Sequence, residues 1–594
     1  MDIDAPAAEE APRAGGSTQA ASAAARAAAG LIYRYRELAL VVALTGAGAF
    51  VRLWRLTTLP YGFHSDEGDG VLDIQRILHE GWIGAYSWRE LGYAIAVDYF
   101  AAPFVKVFGA TVLGARLPVA VLGIAAVPLV YGVTRIAAGW RAAVCATVVL
   151  AFMLWHMHLS RVGFPMTGWP FTELGSLLCL QVGLKRQRWP WFVGAGLLIG
   201  VGTWVYNAAF LYAVAVAIYL VVWYVGRNFA SVRAAVVGAV RPRRLPVAPV
   251  RELLMLLILL ASTALAAAPI VRYAMSSRQD YQSHFKSAYI FNQPQYKDAG
   301  LVEKVRVTEH NAKRLFWSLT STARPDGVDG LGSTPPVGAL TMYAAVVGAA
   351  IALFRFRNPA FGIGLIVVSL LMVSTAMTLD GQYRRSFGMA PFVAIFAGLA
   401  LGTAWERADR YGGVLRVAGV GVVVTVLAVI SYHNLSYYFR DYNNTSLERF
   451  VFYPEMREAS AYLDAHGHPY VYMYSVRASL GLESRQVLAP RIAGGEDRST
   501  QFNPSTYTLR YDLAPEPRPA FPATRQPDGA VFLFLESYVN DAEKVARLYP
   551  GGVMSEVTTP RLHEVDFRAY YLPADLLAKY SLRDGVTIPV LRKP

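Results

Sequence analysis

Long apolar runs decide what this chain can fold into. Stretches of about 15 to 25 residues, among them 112–134, 252–271, 360–378 and 414–432, recur through the first three quarters of the sequence. In lipid every backbone N–H and C=O must find a partner inside the protein, which leaves helices and closed barrels. These runs are too long for barrel strands. Charged residues make up only 16% of the 594, against about 25% in a soluble domain. The chain therefore reads as a polytopic α-helical membrane protein. Its formal net charge of +14 invites a nucleic-acid partner, but much of the excess sits in short loops between spans, where arginine sets topology instead. No nucleic acid is expected. Cys145 and Cys179 lie inside apolar spans and read as packed or lipid-buried thiols.

Roughly eleven spans follow from hydropathy, at about 37–57, 112–134, 142–158, 168–184, 191–205, 207–225, 252–271, 337–354, 360–378, 388–404 and 414–432. Arg34 and Arg36 precede the first, Arg135 and Arg141 flank a tight turn, and Lys185, Arg186 and Arg188 follow the fourth. Further arginines, at 227, 233, 241, 243, 244, 251, 355, 357, 407, 410 and 416, fall in loops on the same side. By the positive-inside rule that side is cytoplasmic. The expected organisation is a disordered cytoplasmic tail over 1–33, a membrane domain over 34–435 with outer loops at 58–111 and 272–336, and an extracytoplasmic domain over 436–594. The last is expected to be α/β, because its hydrophobic runs shorten to strand length at 470–475 and 530–535 between helical stretches. The apolar segment 91–108 carries Asp98, Pro103 and Lys106. As a span it would invert everything downstream, so it is expected to be re-entrant or to lie on the membrane surface.

The first outer loop holds Tyr61-Gly-Phe-His-Ser-Asp66-Glu67-Gly-Asp-Gly70, then an amphipathic run to Glu80. Ionisable groups beside hydrocarbon are costly and mark function. A plain structural role competes with that reading. Ser65 would cap a helix, and Asp66, Glu67 and Asp69 would complement its dipole. The two roles are compatible. At helical spacing Asp66, Asp69, Asp73, Arg76 and Glu80 form a polar stripe beside an apolar one of Val71, Ile74 and Leu78. The helix is expected to lie flat on the membrane with Asp66 toward water. Two more groups fall on the outer side, His156-Met-His158-Leu-Ser-Arg161 and Arg384-Arg385-Ser-Phe-Gly388-Met-Ala-Pro391. Arginines at headgroup level, where positive charge is otherwise sparse, suit bidentate binding of a phosphate. Snorkelling to lipid headgroups is the plainer alternative for Arg385. His156 and His158, two apart on a helix, point to different sides and form no metal pair. Glu173, inside a span, calls for a polar partner on a neighbouring helix.

These blocks carry a resemblance. Leu59-Pro60-Tyr61-Gly62-Phe63-His64-Ser65-Asp66-Glu67, then Arg89-Glu90, Phe108-Gly109 and Ala115-Arg116-Leu117-Pro118, then His158-Leu-Ser160-Arg161 and the Arg384–Pro391 block, follow in an order similar to that of the GT-C glycosyltransferases. The resemblance is to the bacterial branch related to protein O-mannosyltransferases and aminoarabinose lipid A transferases, and it covers roughly 50–435. It implies a GT-C-like fold and transfer of a sugar from a polyprenyl-phosphate donor to an acceptor hydroxyl on the outer face of the plasma membrane. The acceptor would be a protein, a glycan or a lipid. Asp66 would be the general base, with inversion at the anomeric carbon. Glu67 would orient the acceptor or Asp66, or hold a divalent cation with it. Arg384, Arg161, Arg385 and Arg116 are the candidates for the lipid phosphate. A transporter or flippase of lipid-linked saccharides would share the spans and a basic phosphate site. It is disfavoured by the lack of internal repeats with matching broken helices.

Overall fold

The computed structural model describes residues 35–89, 92–228, 247–322, 331–332, 334–379, 383–442, 445–497, 528–558 and 565–579. The expected tail over 1–33 and the arginines at 233, 241, 243 and 244 lie outside the described residues.

Each segment read as a span is carried by a helix. In chain order these are α1 (35–53), α4 (Val112–Phe152), α6 (Gly168–Arg186), α7 (Trp189–Gly202), α8 (Phe210–Arg227), α9 (Val247–Ser276), α12 (Ala339–Phe354), α13 (Pro359–Ala376), α14 (Ala390–Ala408) and α15 (Gly413–Ser436). Helix α4 is two helices joined at Gly139, whose φ of 85° and ψ of 176° break the hydrogen-bond ladder. Only a residue without Cβ takes up that conformation cheaply, so the tight turn expected between Arg135 and Arg141 is made there. Among the described residues six helices are long and apolar enough to cross a membrane by length and composition, and α7 and α12 are shorter apolar helices. Together they make a multi-pass membrane protein.

Between α1 and α4 lie α2 (Ser65–Glu80), a two-stranded ribbon of β1 (Tyr86–Ser87) and β2 (Tyr93–Ala94), and α3 (Ala96–Phe108). With 13 residues α3 rises about 20 Å, too short to span a bilayer. It packs instead against α2 through Ile74, Ile77, Ala101, Ala102 and Val105. A short α5 (Leu154–Leu159) follows α4, and the stretch 272–336 contains α10 (Arg278–Ala288) and α11 (Leu301–Thr320).

Beyond α15 come α16 (Ser446–Phe452), α17 (Pro454–Ala465), β3 (Tyr470–Tyr474), α18 (Glu483–Leu488), β4 (Gly494–Asp497), β5 (Gly529–Leu535), α19 (Ala542–Leu548), β6 (Val553–Thr558) and β7 (Val565–Pro573). The sheet order is β4-β3-β5-β7-β6, with β3 parallel to β4 and β5, and β7 antiparallel to β5 and β6. Strand β5 is apolar throughout because both its faces are covered. Val531, Leu533 and Leu535 join one core, Phe532 and Phe534 the other. On that second face Tyr472 stacks on Phe532 and Tyr474 on Phe534, each at 4.8 Å between ring centroids.

Candidate active site

The first turn of α2 is fixed by a capping box. His64, not Ser65, is the N-cap. Its Nδ1 accepts from the Asp66 N–H at 3.0 Å, while the Glu67 carboxylate accepts from the His64 N–H at 3.0 Å. Two otherwise orphaned helix donors are thereby satisfied. The His64 ring is wedged edge-on against Phe164 and Phe452. Ser65 does not cap because it is already the first helical residue, and the extended backbone of the cap belongs to His64.

Glu67 and Asp66, adjacent in sequence, have opposite fates. Glu67 is fully buried. Its Oε1 accepts from Arg116 Nε at 2.7 Å and from the Gly163 N–H at 2.9 Å, and its Oε2 accepts from Arg116 Nη2 at 2.9 Å besides the His64 N–H. Arg116 is buried as well, and its remaining reach is spent on the carbonyls of Leu56, Pro60 and Gly62. Asp66 sits at the rim, its side chain 14% exposed, and receives Nη1 of Arg384 at 2.8 Å; the Arg384 side chain is 17% exposed. Arg385 donates to the Leu379 carbonyl at 2.7 Å.

Arg161 is taken up within the fold. Its guanidinium gathers the carbonyls of Val51, Arg52, Trp54, Arg55 and Leu59 at 2.5 to 3.2 Å and lies over the rings of Tyr438 and Phe439. It thus closes the C-terminal end of α1, where unpaired carbonyls and the helix dipole both favour a cation. Of the four arginines singled out in the sequence, Arg384 and Arg385 stand at the rim. Arg116 and Arg161 face inward.

The donor set around Asp66 and Glu67 does not fit a metal ion. Glu67 already accepts four hydrogen bonds, and among the described residues no group of three or more His, Cys, Asp or Glu side chains is disposed to hold one.

The polar stripe of α2 is turned to water only at its C-terminal end, where Arg76 is partly exposed and Glu80 exposed, and not at Asp69 and Asp73 as expected. Asp69 and Asp73 are buried, and Arg89 reaches both. Tyr93 donates to Asp73 at 2.8 Å and lies 3.4 Å from Asp98 of α3. The ribbon β1–β2 folds Arg89 and Tyr93 back over the stripe, an arrangement that helical periodicity alone could not reveal. Burial raises the Asp98 carboxyl well above the usual range, the Asp73 charge adds to the rise, and the Tyr93 hydroxyl opposes it. His156 and His158 are buried among Trp155, Phe387, Tyr438 and Tyr442 as packed rings, and Arg52 holds His156 Nδ1 at 2.6 Å. Glu173 meets no hydrogen-bond partner on a neighbouring helix among the described residues, and the Trp169 indole, one turn earlier on α6, is the group that acts on its carboxylate.

Comparison with known proteins bears on this arrangement. The family model described as dolichyl-phosphate-mannose-protein mannosyltransferase matches residues 93–241. The crystal structure of ArnT from Cupriavidus metallidurans bound to undecaprenyl phosphate superposes with a TM-score of 0.51 at 14% identity, covering 91% of this chain and 98% of that one. The archaeal oligosaccharyltransferase AglB from Archaeoglobus fulgidus, in complex with an inhibitory peptide and a dolichol-phosphate, gives a TM-score of 0.47 at 13% identity over 94% and 79% of the two chains. The chain shares its overall fold with ArnT. Among curated protein sequences none matches this chain. The family match begins at Tyr93, past Asp66 and Glu67. Sequence reading quoted His64 and Arg89 only as members of the motif blocks, without the capping and bridging roles that show in three dimensions, and passed over Tyr93. A Ser or Asp at the cap would have been the expected signal.

Two outcomes follow from these pairs. Arg116→Leu leaves Glu67 buried without its cation, at a cost of about 3–5 kcal/mol, and should lower both membrane yield and the thermal midpoint; the double variant Glu67→Leu/Arg116→Met should recover part of the loss. For Asp98, the folded chain keeps a proton that the unfolded chain releases above about pH 4, so stability falls as pH rises from there toward the folded-state value. Asp98→Asn should remove that slope. Thermal midpoints of the two proteins compared from about pH 5 to pH 8 test this, and parallel curves would refute a neutral Asp98.

Proposed function

We propose that this chain moves a sugar from a polyprenyl-phosphate donor to an acceptor hydroxyl on the outer face of the plasma membrane, with Asp66 as general base. The observation that carries the reading is the partly exposed Asp66–Arg384 pair, a carboxylate and a guanidinium 2.8 Å apart, which joins the first turn of α2 to the segment just before α14. Asp66 takes the proton from the acceptor hydroxyl as its oxygen attacks the anomeric carbon. The carbon–oxygen bond to phosphate breaks, its electron pair stays with the lipid phosphate, and the anomeric centre is inverted. Charge grows on the leaving phosphate, and Arg384, with Arg385 beside it, stands where a cation stabilises it. Glu67 and Arg116 act one step back, as the buried pair that holds the first turn of α2. Arg161 holds the end of α1, and phosphate binding is not assigned to it.

Sidedness rests on the arginine-bearing loops. With these in the cytoplasm, the N-terminus is inside, and the Asp66 loop and the C-terminal sheet are outside. Nucleotide sugars are cytoplasmic, and a site on the other face therefore draws on a lipid-linked sugar. ArnT with undecaprenyl phosphate and AglB with dolichol-phosphate fit a donor of that chemistry. The acceptor is a protein, a glycan or a lipid hydroxyl.

Single-turnover transfer from a radiolabelled polyprenyl-phosphate hexose, with the purified protein in detergent and a peptide and glycan extract as acceptor, tests the reading. Asp66→Asn should slow label transfer by about 10²–10⁴, and Arg384→Ala by about 10²–10³, both with unchanged membrane yield. Wild-type turnover in Asp66→Asn would refute the assignment.

A further inference from the structure

Asp66 stands in a helix turn that is gripped from two directions. On one side lies the membrane domain, through Arg116 and Gly163 on Glu67. On the other lies the segment that follows α15. Glu448 of α16 accepts from the Tyr61 N–H at 2.9 Å, and the Phe452 carbonyl accepts from the Phe63 N–H at 2.7 Å. Arg457 of α17 donates to the carbonyls of Thr57 and Tyr61 and lies 4.7 Å over the Tyr61 ring, whose hydroxyl bonds Glu458. Past Asp66 the contact resumes. A Cβ on Gly68 would come within 2.6 Å of the Glu483 carbonyl carbon and 2.7 Å of the Ser484 nitrogen of α18. Val487 of the same helix joins Phe63, Val71, Val112 and Ala115 in one cluster.

We infer that the C-terminal α/β unit is a positioning part of the active site, clamping residues 57–71 so that the Asp66 carboxylate is held in register with Arg384. The inference rests on the reading of Asp66 as base. Two features of the contact carry it. It brackets the carboxylate in sequence, reaching residues 57–63 before it and 68–71 after it. It is also backbone on backbone at Gly62 and Gly68, where a Cβ would meet the main chain of Phe452 or of Glu483 and Ser484. A flexible side chain can yield to such an intrusion, but a main chain cannot do so without shifting the helix. A sheet domain serving only to bind acceptor would have no need of so close a grip on the turn that carries the base. Holding a reacting group in place is worth rate because misplacement by about 1 Å costs about 10²-fold. Arg457, Gly68 and Glu448 are positioning residues, since they act through the placement of Asp66.

The test is steady-state transfer from polyprenyl-phosphate hexose by the full-length protein, with thermal midpoints measured alongside. The variants are Gly68→Ala, Arg457→Ala, Arg457→Lys, Asp66→Asn and, as a control in β7 beside the edge strand β6, Arg568→Ala, which removes the Arg568–Glu556 pair. Gly68→Ala and Arg457→Ala should lower kcat by up to about 10²-fold at unchanged donor KM, the split expected when only the transition state loses a contact. Arg457→Lys should regain part of kcat, and Arg568→Ala should keep it. If Gly68→Ala fails to accumulate, the Arg457 pair decides. Full kcat in the clamp variants with an inactive Asp66→Asn overturns the clamp alone. A fall in kcat that only follows the thermal midpoint, without recovery in Arg457→Lys, overturns it too. An active Asp66→Asn removes the base assignment, and the clamp with it.

Discussion

The buried pair of Glu67 and Arg116 is the interaction on which the geometry of the outer loop depends. Two full charges are out of water here, a state that is stable only where each remaining lone pair and proton has a partner. Both conditions hold. Glu67 takes two hydrogen bonds from Arg116 and one each from the main chain at His64 and Gly163, and Arg116 spends its other donors on three carbonyls of the 56–62 segment. One side chain on α4 thus ties together the end of the first helix, the loop that follows it and the first turn of α2. Asp66, one residue earlier, is left at the rim because the helix turn that points Glu67 inward points its neighbour away.

Arginine serves several ends in this protein, and the chemistry of the side chain is the same in all of them. Arg52 joins α1 to the Ala151 carbonyl and to His156, Arg161 satisfies carbonyls at the end of α1, Arg116 neutralises Glu67, Arg89 bridges Asp69 and Asp73, and Arg457 braces the loop before Asp66. Arg384 is paired with Asp66. A planar group with five donors suits a ring of carbonyls as well as it suits a phosphate. For that reason a sequence motif containing arginine at headgroup level cannot by itself separate a ligand-binding residue from a structural one.

Much of the architecture was legible because hydrophobicity in lipid is a one-dimensional property. A helix must be apolar for the length of the bilayer whatever it packs against, so the runs at 112–134, 142–158, 360–378 and 414–432 all recur as helices. Segment 91–108 was recognisable as something other than a span because, as one, it would have inverted every arginine-bearing loop downstream. Strands β3 and β5 were visible as short apolar runs. The polar stripe of α2 was misjudged. Its periodicity was correct, but the ribbon that covers it arrives from residues 86–94, and no helical pattern records that.

Sequence by itself determined the class of fold and singled out Asp66-Glu67 as the acidic pair in the loop that follows the first apolar run. Each follows from local composition, because the cost of placing a charge or an unpaired amide in hydrocarbon depends little on the partner. Tertiary structure decided which carboxylate is spent and which stands at the rim, which arginine lies beside it, and that the C-terminal unit closes over the same turn. Those are questions of burial and of partners brought from as far as Glu448, Arg457 and Glu483. A guanidinium or a carboxylate acquires its role only when the chain has settled what surrounds it.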